Sequence, residues 1–135
     1  MMMADRLAEL LGRRPEVAFA FLFGSTARGT SGSLSDVDVA VWLQDLDAHQ
    51  RFQWRRQWSA RLEDALGRSV DLVVLNDASP LVRHRVLRDG IPLVDQQPEL
   101  RVRLATRWLL DYLDTAPLRE TIRQAVLQAA RSRSG

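Results

Sequence analysis

The feature that most restricts how this chain folds is an uninterrupted apolar run, Val17 to Phe23, broken at once by Gly24-Ser25. Seven residues make less than two turns of a helix and fall far short of the roughly 18 to 20 needed to cross a bilayer. The run therefore reads as a strand covered on both faces that feeds a Gly-rich turn. Asp36 to Leu43 then alternates, with Val37, Val39 and Val41 on one side and Asp36, Asp38 and Ala40 on the other. That period of two predicts a second strand with a carboxylate face. Val70 to Leu75 predicts a third strand, and Ile91 to Val94 a short edge piece.

Helical spacing fills the rest. Leu7, Leu10 and Leu11 predict a first helix ending at Gly12, and Trp54, Trp58, Leu62, Ala65 and Leu66 form one stripe of a helix over Phe52 to Leu66, stopped by Gly67. Core packing is the expected role of Trp54, Trp58 and Trp108. Leu81 to Arg88 predicts a short helix, Pro98 to Leu113 a longer one, and Leu118 to about Ala130 a last one set off by Pro117. The expected fold is α/β: a small mixed sheet of three to four strands flanked by helices, with a helical C-terminal third at about 98–131. At 135 residues, against roughly 150 per domain, one domain over 1–135 is expected.

Composition narrows the function classes. With 46% hydrophobic and 27% charged residues, the chain is neither disordered nor low-complexity. It has no Cys, which removes a disulfide framework, a thiol nucleophile and a thiolate zinc site. Met1-Met2-Met3-Ala4-Asp5-Arg6 lacks the pattern of a secretory leader, so a cytoplasmic location is expected. The sequence pI of about 10.3 reflects an all-Arg basic set, 19 residues with no Lys, rather than a large charge. The net charge is only +2, so nucleic acid is disfavoured as a partner. Asp36, Asp38, Asp45 and Asp47 form an acidic stretch, whereas the tail carries Arg119, Arg123, Arg131 and Arg133 as a solvated helix face or a partner surface.

Three features bear on chemistry. Gly24-Ser25-Thr26-Ala27-Arg28-Gly29 follows a strand and leads into an expected helix start, where free backbone N–H groups favour an anion such as phosphate. Gly24 permits close backbone approach and Ser25 adds a hydroxyl donor; Gly-Ser turns also occur with no ligand at all. Arg28 either contacts phosphate or pairs with Asp36. Asp36 and Asp38 lie on one side of the second strand with Cα atoms roughly 6.6 Å apart, placed to share a divalent cation, or else solvated on an open face. Asp71 sits within Val70 to Leu75, where a buried carboxylate is costly without a partner. Beside the second strand it would complete an all-oxygen site suited to Mg²⁺; alternatively it bonds a neighbouring loop. His84 and His49 read as solvated.

The first two of these motifs, read as Gly24-Ser25-Thr26-Ala27-Arg28-Gly29 with Ser35-Asp36-Val37-Asp38-Val39, resemble the signature of the DNA polymerase beta superfamily, and the short chain resembles its minimal nucleotidyltransferases. The likeness extends through Val86 to Leu93 and into Tyr112-Leu113-Asp114. It implies transfer of AMP from ATP, with Gly24 and Ser25 on the triphosphate and Asp36, Asp38 and Asp71 as catalytic ligands of two Mg²⁺. It also implies an antitoxin that silences an all-helical HEPN toxin by adding AMP to a tyrosine. The rival expectations are a small-molecule adenylyltransferase of the aminoglycoside type, for which 135 residues leave little room, and a non-catalytic module that neutralises a toxin by covering it.

Overall fold

β1 (Val17–Phe23) lies inside a four-stranded sheet of order β3-β2-β1-β4, antiparallel to both of its neighbours, β2 (Val37–Leu43) and β4 (Ile91–Asp95). That position explains why Val17 to Leu22 is buried without alternation. β3 (Val70–Val74) pairs parallel to β2 and forms one edge. The sheet is thus mixed, as expected from the sequence. The structure, a computed structural model, describes residues 2–24 and 36–134.

Helices cover both faces. α1 (Met3–Gly12) and α2 (Ala48–Leu66) pack Leu7, Leu11, Trp54, Trp58 and Leu62 against Val37, Val39, Val41 and Leu72. On the other face α3 (Pro80–Asp89) and α4 (Pro98–Asp114) bring Val86 and Trp108 onto Phe19, Phe21 and Ala40. Trp108 meets Trp42 at 5.8 Å and Phe19 at 6.3 Å between ring centroids, making this second core largely aromatic. α5 (Ala116–Ser134) follows α4 and is exposed along nearly its whole length.

Several boundaries move from the sequence expectation for local reasons. α2 begins four residues earlier than Phe52, because Asp47 accepts from the Gln50 backbone N–H at 2.8 Å while Gln50 accepts from the Asp47 N–H at 2.9 Å. This reciprocal pair satisfies two otherwise orphan donors. Gly67, at φ 65°, closes the same helix in the left-handed conformation that glycine adopts without strain. Leu75 leaves β3 for a 3₁₀ turn, Leu75–Asp77, whose Asn76 side chain bonds both the N–H and the C=O of Leu43 at 2.9 and 2.8 Å. Pro117 does not separate the last two helices: it lies in the first turn of α5, where its missing N–H has no helical partner to lose.

Candidate functional site

Gly24 stands at the end of β1 with φ +72°, and a Cβ placed there would overlap the Asp38 carboxylate, with its Cγ 3.0 Å and its Cβ 3.3 Å away. Only a residue without a side chain lets β1 end against Asp38 in this way. Asp38 is the register partner of Phe23 on β1 and of Asp71 on β3. Register partners on neighbouring strands face the same side, about 4.8 Å apart. The Asp38 and Asp71 side chains therefore leave one face together, the face on which α3 and α4 pack further along the strands.

The two carboxylates differ in exposure. Asp38 is half-buried beneath Gly24, whereas Asp71 is exposed. The expectation of a buried carboxylate in β3 is corrected by tertiary position, since Asp71 lies near the start of a strand at the sheet edge. Like charges about 4 Å apart repel by about 4 kcal/mol at an effective dielectric near 20, so the pair favours a cation between its oxygens. Asp36 precedes β2 and is exposed. Among the described residues no three acids or histidines are gathered closely enough to hold a metal ion as one cluster. The structure thus brings Asp38, Asp71 and Gly24 together and leaves Asp36 further out along the chain. Ser25 and Arg28 lie outside the described residues.

Other features were not legible beforehand. A hollow of about 450 Å³ runs beside the outer edge of β3, walled by Arg51, Phe52 and Arg55 of α2 with Val73, Asp77 and Val82. Arg51 grips Asp77 through two bonds of 2.9 and 3.0 Å and also donates to the Leu46 carbonyl at 2.9 Å. Hydrogen bonding from Arg51 holds the Asp77 carboxyl below its ordinary range despite slight burial. Phe52 opens into this hollow while 55% exposed. Its exposure is invisible in the sequence, where Phe52 reads as the first residue of an apolar helix.

His84 is not a solvated helix residue. Its ring stacks on Tyr112 at 3.7 Å with planes 10° apart, and the Arg119 guanidinium lies 3.6 Å from the same Tyr112 ring. Tyr112 thereby joins α3, α4 and α5, and Arg119 also donates to the Tyr112 carbonyl at 2.8 Å. Arg119 is therefore a packing residue as well as part of a basic face.

Comparisons with known proteins bear on the family and the fold. The chain is 35% identical over 86 residues to a protein adenylyltransferase, MntA, of Shewanella oneidensis; the match takes in 63% of this chain and 59% of that relative's length. The fold superposes on the crystal structure of a toxin–antitoxin with AMP-PNP at a TM-score of 0.76 and 28% identity, covering 94% of this chain and 99% of the other. It also superposes on a structure of a tri-AMPylated Shewanella oneidensis HEPN toxin in complex with its MNT antitoxin, at a TM-score of 0.72 and 26% identity over 93% of this chain and 99% of that one. The model of the polymerase beta nucleotidyltransferase family matches residues 5–99, about 70% of the chain and all four strands of the sheet, and the chain belongs to that family.

Proposed function

We propose that this chain, as one domain over 1–135, is an antitoxin that transfers AMP from ATP to a hydroxyl of a HEPN toxin, a tyrosine being the expected acceptor, in the cytoplasm. The observation that carries this reading is the in-register pair Asp38 and Asp71 on one open face, with the bare α-carbon of Gly24 against Asp38. It is supported by similarity to an adenylyltransferase and to structures of toxin–antitoxin complexes, one with an ATP analogue and one with an AMPylated toxin.

Asp36, Asp38 and Asp71 fit a Mg²⁺ site by donor chemistry, because carboxylate oxygens are the hard ligands this ion takes. When bound, the ion or ion pair would offset phosphate charge and stabilise the leaving pyrophosphate. The chain's own groups supply the rest. Gly24 admits the triphosphate close to the backbone, and Ser25 and Arg28 add a hydroxyl and a guanidinium to it. Asp71, exposed and adjacent to Asp38, takes the proton of the acceptor hydroxyl as its oxygen bonds to the α-phosphorus. The α,β-bridging P–O bond breaks and pyrophosphate departs.

Labelled ATP, Mg²⁺ and the cognate toxin provide the test. Asp38→Asn and Asp71→Asn should each lower AMP transfer by at least about 10²-fold, in line with the loss of a group acting at the transition state. Equal label transfer by wild type and both variants would remove the catalytic assignment. A second reading, neutralisation by binding alone, draws on exposed Leu109, Leu110, Leu113, Leu118, Ile122 and Val126 of α4 and α5. Neutralisation that survives combined loss of Asp36, Asp38 and Asp71 would favour it.

A further inference from the structure

The sheet imposes a lateral order on the proposed reacting groups. Gly24 ends β1, Asp38 lies on β2 and Asp71 on β3, and these strands are successive neighbours. In displacement at phosphorus the leaving and attacking oxygens lie on opposite sides of the reacting atom. With pyrophosphate held at the turn after β1, the attacking hydroxyl approaches from the side of β3. Beyond β3 lie the edge that no described strand pairs with and the hollow walled by α2.

We infer that an extended segment of the acceptor polypeptide runs along the outer edge of β3, seats an apolar side chain in the hollow against Phe52, Val73 and Val82, and thereby brings its hydroxyl to Asp71. This inference rests on the reading of the site given above and names how that site takes its protein substrate.

The edge itself argues for main chain as the occupant. Ser69 accepts from the Val37 N–H at 2.9 Å, so the backbone groups of Ser69, Asp71 and Val73 turn toward β2. Those of Val70, Leu72 and Val74 turn outward. Glu63 accepts from the Val70 N–H at 3.1 Å and Arg55 donates to the Leu72 carbonyl at 2.9 Å, which confirms that direction. Among the described residues no strand pairs with this side, and Glu63 and Arg55 reach its backbone from α2 as side-chain arms. An extended peptide can replace such arms with backbone hydrogen bonds, the usual way a sheet edge takes a ligand segment.

Spacing and shape agree. Val73 lies two residues from Asp71 on the same face, roughly 6.6 Å along the strand, so two residues of an extended segment span from the hollow to the carboxylate. Arg51, pinned by Asp77 and the Leu46 carbonyl, gives the hollow a fixed wall. Phe52 offers an aromatic surface at its mouth, the kind of group that anchors binding partners.

Two measurements on the full chain test this. In steady-state AMP transfer to the cognate toxin, Phe52→Ala should raise KM for the toxin about tenfold and leave KM for ATP within about twofold; Phe52 is exposed enough for its loss to spare the fold. A rise in KM for ATP instead would give the hollow to the adenosine and overturn the inference, as would no change in either constant. Independently of catalysis, amide hydrogen exchange at Leu72 and Val74 should slow at least tenfold when toxin is added to the wild-type protein. A complex that forms without slowing these amides overturns the inference even if AMP is transferred. Protection without any AMP transfer would uphold the groove and dismiss the catalytic reading.

Discussion

At the scale of single residues, Gly24 is the position where conformation and site geometry meet. Replacing it with Ala combines a left-handed backbone with overlap against the Asp38 carboxylate. We expect Gly24→Ala to cost about 1–2 kcal/mol of stability from the backbone alone. AMP transfer should fall further than that loss accounts for, read as urea unfolding beside transfer at a temperature where both proteins are folded. Glu16 provides a pH test. Burial alone would raise its carboxyl, but a backbone hydrogen bond together with Arg14 at 2.9 Å and the Trp54 indole N–H at 3.2 Å hold it below the ordinary 4.5. A depressed folded-state pKa gives stability that is present above the ordinary value and lost as pH falls through the lower one. Melting curves of wild type and Glu16→Gln should therefore separate above pH 4.5 and converge in more acid solution. The all-Arg basic set also finds a structural use. Arg83 lies over Trp108, Arg61 over Trp58 and Arg119 over Tyr112, roles in which a planar guanidinium stacks and an ammonium does not.

At the scale of elements, every strand and helix predicted outside residues 25–35 is present, because a period of two or of 3.6 survives whatever the tertiary context, while the helix start expected after Gly24 lies outside the described residues. What shifted were the ends. The start of α2 depends on Asp47 and Gln50 meeting each other, and the exit of β3 on Asn76 reaching back to Leu43, contacts that no periodicity encodes. α5 is the least integrated helix. Leu118, Ile122 and Val126 are exposed on it, and its described anchor to the body is Arg119 on Tyr112. A chain ending at Thr115 should keep its sheet and both cores, with a melting temperature within about 5 °C of the full chain. Circular dichroism melts of the two proteins check this; a cooperative loss of the whole fold on truncation would show that α5 stabilises the body through more than that stack.

At the scale of the whole molecule, the layering of helices on both faces follows from which strand lies inside. Val17 to Phe23, apolar throughout, takes a place between β2 and β4, and the alternating β2 presents valines to one layer and Asp38, Ala40 and Trp42 to the other. The sequence by itself determined the α/β class, the strand that must be covered on both sides, and the choice of Gly24, Asp36, Asp38 and Asp71 as candidates, since these follow from local pattern and side-chain chemistry. Only the tertiary structure decided that Asp38 and Asp71 are register partners, that Asp71 is exposed at the start of an edge strand, and that a hollow opens beyond it. Those are properties of strand order and parallel register, which depend on contacts between residues far apart in the chain and leave no periodic trace along it.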